Sequence, residues 1–379
     1  MKYFVVAMAT FFITGGIHSV PEIPLDESIS YISGIGVPPQ SILYPRMITS
    51  PYLDYSRRLH NGWSQIRKAS LDNIPSWSKK EIPEKIHTVF YPFGGPDAMN
   101  ALTFFPDAEK YILMGLESPG EIPNPVALSR KKDTIGLRLI LSSMNEILGQ
   151  NFFHTLKMEK KIAHHPYNGT TGIIAIMAKR LGYKIISVEF FPTHAVQKWK
   201  GMKMVVEDHN NKMKTIYYIQ ANIDDRYFSQ NTVLVKFLQE NPFDITMLKA
   251  ASYLMFLPSF DDIRNFILAK SPIILQDASG IPYHFFQPQK FDVRLYGDYD
   301  KPIPLFANRC QPDLRASIKV KSQGGIPFFY GYISPHYKKT YLMVARAKNP
   351  SADTIVYDQS TSKGISTQCT GGRLIIIRH

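Results

Sequence analysis

Apolar and polar positions change period several times along the chain. His87-Thr-Val-Phe-Tyr-Pro-Phe93 is a nearly unbroken apolar run and predicts a buried strand. Gly94-Gly95-Pro96-Asp97 punctuates it, and Ala98 to Phe105 then predicts a helix. A proline in the first helical turn has no N–H to lose, and a carboxylate suits the positive end of a helix. Pro106-Asp107 stops this helix, and Tyr111 to Glu117 predicts the next strand. Strand, Gly-rich turn, helix and strand make a βαβ unit, whose parallel strands require helices on the sheet faces.

The pattern continues downstream. Helices are predicted over Asp133 to Leu148, Gly172 to Leu181, Thr232 to Gln239 and Phe260 to Ala269. Strands are predicted over Tyr183 to Phe190, Phe243 to Lys249 and Pro272 to Gln276. Met202–Glu207 and Met213–Gln220 flank the turn Asp208-His-Asn-Asn211 as a hairpin. Beyond about residue 290 the pattern becomes β, with a hairpin of Phe328–Ser334 and Thr340–Ala345 around Pro335-His336 and short strands at Ile355–Tyr357 and Arg373–Ile377. Pro21, Pro24, Pro38, Pro39, Pro45 and Pro51 mark an extended arm before the first strand, with one helical stretch from Tyr52 to Ala69. The expected architecture is α/β, a Rossmann-like, mostly parallel central sheet with a Pro-rich N-terminal arm and a β-rich C-terminal part. Its divisions are 1–19, 20–84, 85–290 and 291–379.

The first nineteen residues predict a compartment. Met1-Lys2 is a short positive start, Tyr3 to Thr14 is apolar, and Gly16 and Ser19 offer small residues for cleavage. That is the form of a secretory signal peptide and is too short for a membrane span. The expected protein is exported, periplasmic or secreted, with no transmembrane span after processing. Export removes the supply of nucleotide-type cofactors, so no cofactor is assigned. Cys310 and Cys369 are the only cysteines. One disulfide between them would close a loop of about 59 residues, contributing about 4 kcal/mol by chain entropy; two buried thiols are the alternative.

Lys and Arg number 44 against 31 Asp and Glu, a net charge of +13. Lysines crowd two stretches, Lys157–Lys161 and Lys198–Lys214. One reading is a solvated basic face; the other is attraction to an anionic envelope polymer or lipid headgroups. No nucleic-acid motif is present. His164-His165 has no neighbouring carboxylate to complete a ligand set, so no metal is expected.

The candidate site follows from strand ends. In open α/β sheets, ligands sit at the carboxyl ends of the strands. Gly94, Gly95 and Asp97 follow the first predicted strand, and Glu117 ends the second, 23 positions after Gly94. This spacing is similar to the Gly-rich loop and acidic residue that hold a nucleoside in Rossmann-like folds. Asp244–Lys249 and Ile273–Asp277 resemble later strands of a methyltransferase-like sheet. Pro96 removes one N–H from the phosphate cradle, however, and Asp97 would repel phosphate. Lys249-Ala-Ala-Ser252 read as a helix places Lys and Ser on one face, where Lys could activate Ser. Asp277 and Ser279 end a further strand in a Gly turn. Asp97, Glu117, Lys249, Ser252 and Asp277 are therefore the candidate catalytic residues, and Gly94, Gly95, Asp97, Glu117, Asp277 and Ser279 the candidate ligand-binding set. Binding of a polar ligand or envelope component, hydrolysis in an acidic/Lys cleft, and a methyltransferase-like enzyme in an unexported chain are the three functional readings.

Phe90-Tyr-Pro-Phe-Gly-Gly-Pro-Asp97, Phe104-Phe-Pro-Asp-Ala108 and Tyr111-Ile-Leu-Met-Gly-Leu-Glu117 together resemble a group of exported bacterial proteins of unassigned function. Lys249–Leu254, Gln276-Asp277 with Ser279–Pro282, Pro304–Phe306 and Gln311–Leu314 extend the likeness over roughly residues 85–345. The resemblance implies a bacterial exported protein and carries no activity.

Overall fold

The buried run Thr88–Tyr91 forms the central strand of a nine-stranded sheet. The structure is a computed structural model that describes residues 23–150, 166–191, 200–332 and 341–348. The expected signal peptide, His164-His165, the turn at Pro335-His336, Cys369 and the strands expected beyond residue 348 lie outside the described residues.

In chain order the strands are β1 (Thr88–Tyr91), β2 (Lys110–Gly115), β3 (Lys184–Phe191), β4 (Lys200–Glu207), β5 (Met213–Gln220), β6 (Ile245–Leu248), β7 (Ile273–Gln276), β8 (Phe291–Gly297) and β9 (Tyr341–Ala347). Their order across the sheet is β3-β4-β5-β2-β1-β6-β7-β9-β8. The five strands β5-β2-β1-β6-β7 run parallel. The remaining four pairings are antiparallel. The expectation of a mostly parallel sheet is thus corrected to a mixed sheet. The causes are local. The short turn at Asp208–Asn211, with Asn211 at φ 59°, folds β4 back on β5. At the other end, β9 inserts antiparallel between β7 and β8.

Successive strand residues point to opposite faces, and each face is covered by helices. Val89 and Tyr91 enter one apolar core while Phe90 enters the other; Tyr111 and Leu113 are separated from Ile112 and Met114 in the same way. The first core is closed by α1 (Leu25–Ile32), α3 (Ser50–Ala69), α4 (Ile74–Glu81), α5 (Ala98–Phe104), α6 (Arg130–Gln150) and α7 (Thr171–Arg180), with α2 (Tyr44–Met47) beside them. The second is closed by α8 (Asp225–Phe228), α9 (Thr232–Glu240), α10 (Asp261–Lys270) and α11 (Pro312–Lys321).

Two segments depart from expectation. The N-terminal arm is largely helical, because Pro45, Pro51 and Pro75 sit in the first turns of α2, α3 and α4, where proline starts a helix. It is tied to the body by Asp133, a buried carboxylate that accepts from Tyr31 at 2.7 Å, Tyr167 at 2.5 Å and Arg46 at 3.0 Å. Phe328 to Tyr332 form no strand. Both edges of β9 are already taken by β7 and β8, and Phe328 packs edge-on against Trp77 and Phe104 instead. β8 and β9 therefore belong to the common sheet.

Candidate functional site

Because β1, β2, β5, β6 and β7 run parallel, their carboxyl ends share one edge. The segments leaving β1, β2, β5 and β6 line a single cleft there, containing Gly94, Gly95, Asp97, Glu117, Lys249 and Ser252. It encloses about 120 Å³, well under the roughly 300 Å³ at which pockets for drug-sized ligands begin. Asp277 and Ser279, after β7, line a smaller neighbouring pocket with Tyr253, Tyr330 and Tyr332. The loop at residues 250–253 lies against both spaces.

Asp97 has two roles. Its Oδ1 accepts from the Asn100 backbone N–H at 3.2 Å, capping α5. Its Oδ2 lies 2.7 Å from Lys249 Nζ and accepts from the Tyr91 hydroxyl at 3.0 Å. The Asn100 side-chain amide reaches both oxygens, at 3.0 and 3.1 Å. Asp97 and Lys249 are each only 2% exposed, so this is a buried ion pair. Burial, reinforced by the charge of Asp97, pushes the Tyr91 hydroxyl well above its ordinary pKa and keeps it a donor.

Glu117 is 3% exposed. The Tyr218 hydroxyl donates to its backbone carbonyl at 2.8 Å and approaches its Oε2 at 3.4 Å. Oε1 has no hydrogen-bond partner among the described residues. Gly115 makes room for this carboxylate: a Cβ there would stand 2.6 Å from Glu117 Oε2, 2.8 Å from the Tyr218 oxygen and 2.9 Å from Gly95 Cα. The Gly95 N–H is already given to the Met114 carbonyl at 2.8 Å. With Asp97 at the start of α5 as well, the turn offers no phosphate cradle.

Lys249 and Ser252 do not share a helix. Ala250, Ser252 and Tyr253 all have positive φ, between 50° and 55°, so the chain turns sharply after β6. Tertiary bonds hold it there. Asp277 Oδ2 accepts from Ala250 N–H at 3.0 Å, and Ser279 Oγ accepts from Ala251 N–H at 2.7 Å. The Tyr332 oxygen accepts from Ser252 N–H at 3.1 Å, and its hydroxyl donates to the Ala250 carbonyl at 3.1 Å. Ser252 Oγ also pairs with Tyr332, at 3.0 Å. Lys249 is directed to Asp97 and Ser252 to Tyr332, so the helix on which Lys and Ser would share a face is not formed here. Burial pushes the Tyr332 hydroxyl up to about 12.

Asp277 is a brace for this loop. Its Oδ1 accepts from the Ser279 N–H at 2.9 Å and hydroxyl at 2.5 Å. Burial pushes its carboxyl above the ordinary range, against the opposing pull of these donors and of Lys249. Cys310 lies near the Ala307 carbonyl at 3.5 Å, away from the cleft lining. Its expected bridge to Cys369 falls outside the described residues.

Sequence reasoning did not single out Tyr91, Asn100, Tyr218 or Tyr332 for this edge. Asn100 was open to inference from its place three residues after a helix cap. Tyr332 was not, since only the tertiary fold brings it to residue 252. Among the described residues, no helix is long and apolar enough to cross a membrane. Compared with protein-family models, with curated proteins and with solved structures, the chain has no significant match.

Proposed function

We propose that this is an exported protein that binds a small polar ligand in the cleft at the carboxyl edge of its sheet. The observation that carries the reading is Glu117, a buried carboxylate in the cleft lining whose Oε1 has no hydrogen-bond partner among the described residues. A buried acceptor left unpaired costs about 1–3 kcal/mol, which a ligand hydroxyl or amine offsets by donating to it. The enclosed space suits a small molecule or one moiety of a larger one. The test is native mass spectrometry of the full chain purified from its host. A non-covalent small molecule is expected on the native protein and not on Glu117→Ala; the apo mass for both overturns the reading.

A second reading is a methyltransferase-like enzyme working in the same cleft. Counted in chain order, the five parallel strands are arranged 3-2-1-4-5, as in a Rossmann-like sheet, with Glu117 following the second. That position is where such folds hold the hydroxyls of a ribose. The occupied Gly95 N–H and the Asp97 cap favour a nucleoside without phosphate over a dinucleotide. The mass of the retained molecule separates the two readings. A hydrolase built on Lys249 and Ser252 draws no support, because the two side chains are directed to different partners.

A further inference from the structure

We infer that the ligand of this cleft is an organic cation, an amine carried on a small apolar body. The inference rests on the binding reading above and adds the sign of the ligand's charge. Asp97 and Glu117 are the carboxylates of the cleft lining, and Lys249 is its one cationic residue among the described residues. Lys249 is engaged by Asp97 at 2.7 Å, and the two charges cancel. That leaves Glu117 as the lining carboxylate with no second cationic residue of the lining to pair with. The Tyr218 hydroxyl and the close backbone of Gly95 and Gly115, which lie beside it, are uncharged.

A carboxylate held out of water needs a counter-charge or several strong donors, and among the described residues no donor reaches Oε1. An ammonium supplies both at once, as a charge-assisted hydrogen bond. The rest of the wall suits the body of such a molecule. Phe93 and Phe260 lie with ring centroids 6.2 Å apart, and Leu116, Ile223 and Leu254 join them in the lining. Aromatic faces also attract cations. Two groups that an anion would use are occupied: the Gly95 N–H is taken by the Met114 carbonyl, and the start of α5 by Asp97. The net charge of +13 describes the whole chain and not this cleft.

The test uses the full chain at pH 7 and three probes of matched shape: phenethylamine, 2-phenylethanol and 3-phenylpropionate. Isothermal titration is expected to show the amine binding at least about tenfold more tightly than the alcohol, the factor one charge-assisted hydrogen bond provides. The carboxylate is expected not to bind. Glu117→Gln should remove the preference for the amine over the alcohol. Equal binding of amine and alcohol, tighter binding of the carboxylate, or an amine preference that survives Glu117→Gln each overturns the inference. Alcohol binding without amine preference leaves the polar-ligand reading standing while sinking the cation. Failure of all three probes sinks the cation, and the separate mass measurement of retained ligand decides whether the binding reading falls too.

Discussion

The most informative perturbation is Asp97→Asn. If Asp97 served only as the cap of α5, the change would be almost silent, because Asn caps nearly as well. The structure gives the carboxylate a second duty. Lys249 Nζ lies 2.7 Å away, and both side chains are nearly excluded from solvent. Removing one partner of a buried pair leaves the other charge without its counter-ion, which costs about 3–5 kcal/mol. Asp97→Asn is therefore expected to cost at least about 3 kcal/mol. Lys249→Met should cost less, about 1–3 kcal/mol, since Asp97 retains the donors of Tyr91 and Asn100. The double variant removes both charges. Its cost should fall below the sum of the single costs by at least about 2 kcal/mol, the mark of direct coupling. Urea unfolding at pH 7 measures all four proteins, with a constant m-value as the check that only stability has changed. An Asp97→Asn protein within about 0.5 kcal/mol of the native one would have the cost of an ordinary surface change and would refute the pair.

Two further predictions concern the brace behind the cleft. A Cβ at Gly331, where φ is +80°, would stand 2.0 Å from Asp277 Oδ2. Gly331→Ala should therefore lose about 1–3 kcal/mol and speed amide exchange at Ala250 and Ala251; unchanged exchange there would show that Asp277 does not hold the loop. Asp277 itself should titrate above the ordinary 3.8, because burial raises its pKa. Below about pH 3.8 the proton is bound in both states, and the folded state binds it more tightly. This contribution to stability is therefore full at low pH and lost as pH rises through the raised folded value. Side-chain carboxyl ¹³C shifts followed against pH report the midpoint directly, and a midpoint at or below 3.8 contradicts the claim.

The parts of the fold legible in the sequence are those with strong local signals. β1, α5 and β2 follow from two buried apolar runs separated by Gly-Gly-Pro-Asp, and the β4–β5 hairpin from its polar turn. The misread parts share a cause: local residues whose meaning depends on distant ones. The prolines of the arm look like breakers, yet Pro45, Pro51 and Pro75 each occupy a first helical turn. Lys249-Ala-Ala-Ser252 has acceptable helix propensity, yet Asp277 and Ser279 draw off the N–H groups of Ala250 and Ala251 and impose left-handed conformations. The Asp97–Lys249 pair joins residues 152 positions apart. Neither period nor motif shows such a pair; only the neighbouring positions of β1 and β6 in the sheet create it.

The same logic explains why the cleft depends on segments far from it in sequence. Positive φ at Ala250, Ser252 and Tyr253 is costly, at about 1–3 kcal/mol per strained residue, and persists only where surroundings over-determine it. The restraints come from Asp277 and Ser279 after β7 and from Tyr332. Tyr332 follows a segment that is itself anchored at both sides of the first core. Asn73 donates to the Pro327 carbonyl at 3.0 Å, and the Phe329 N–H donates to Ser70 at 3.1 Å. The Tyr330 hydroxyl donates to the Leu275 carbonyl at 3.3 Å, and Phe328 and Tyr330 both pack edge-on against Phe104 of α5, the helix that Asp97 caps. The N-terminal helices thus position residues 327–332, these residues fix the loop after β6, and that loop carries Lys249 to Asp97. A chain ending before residue 291 would keep the residues of the ion pair and lose both Tyr332 and β9. Its cleft would then lack the restraint on Ser252 and the strand that covers β7, so the α/β core and the C-terminal segment act as one structural unit around this site.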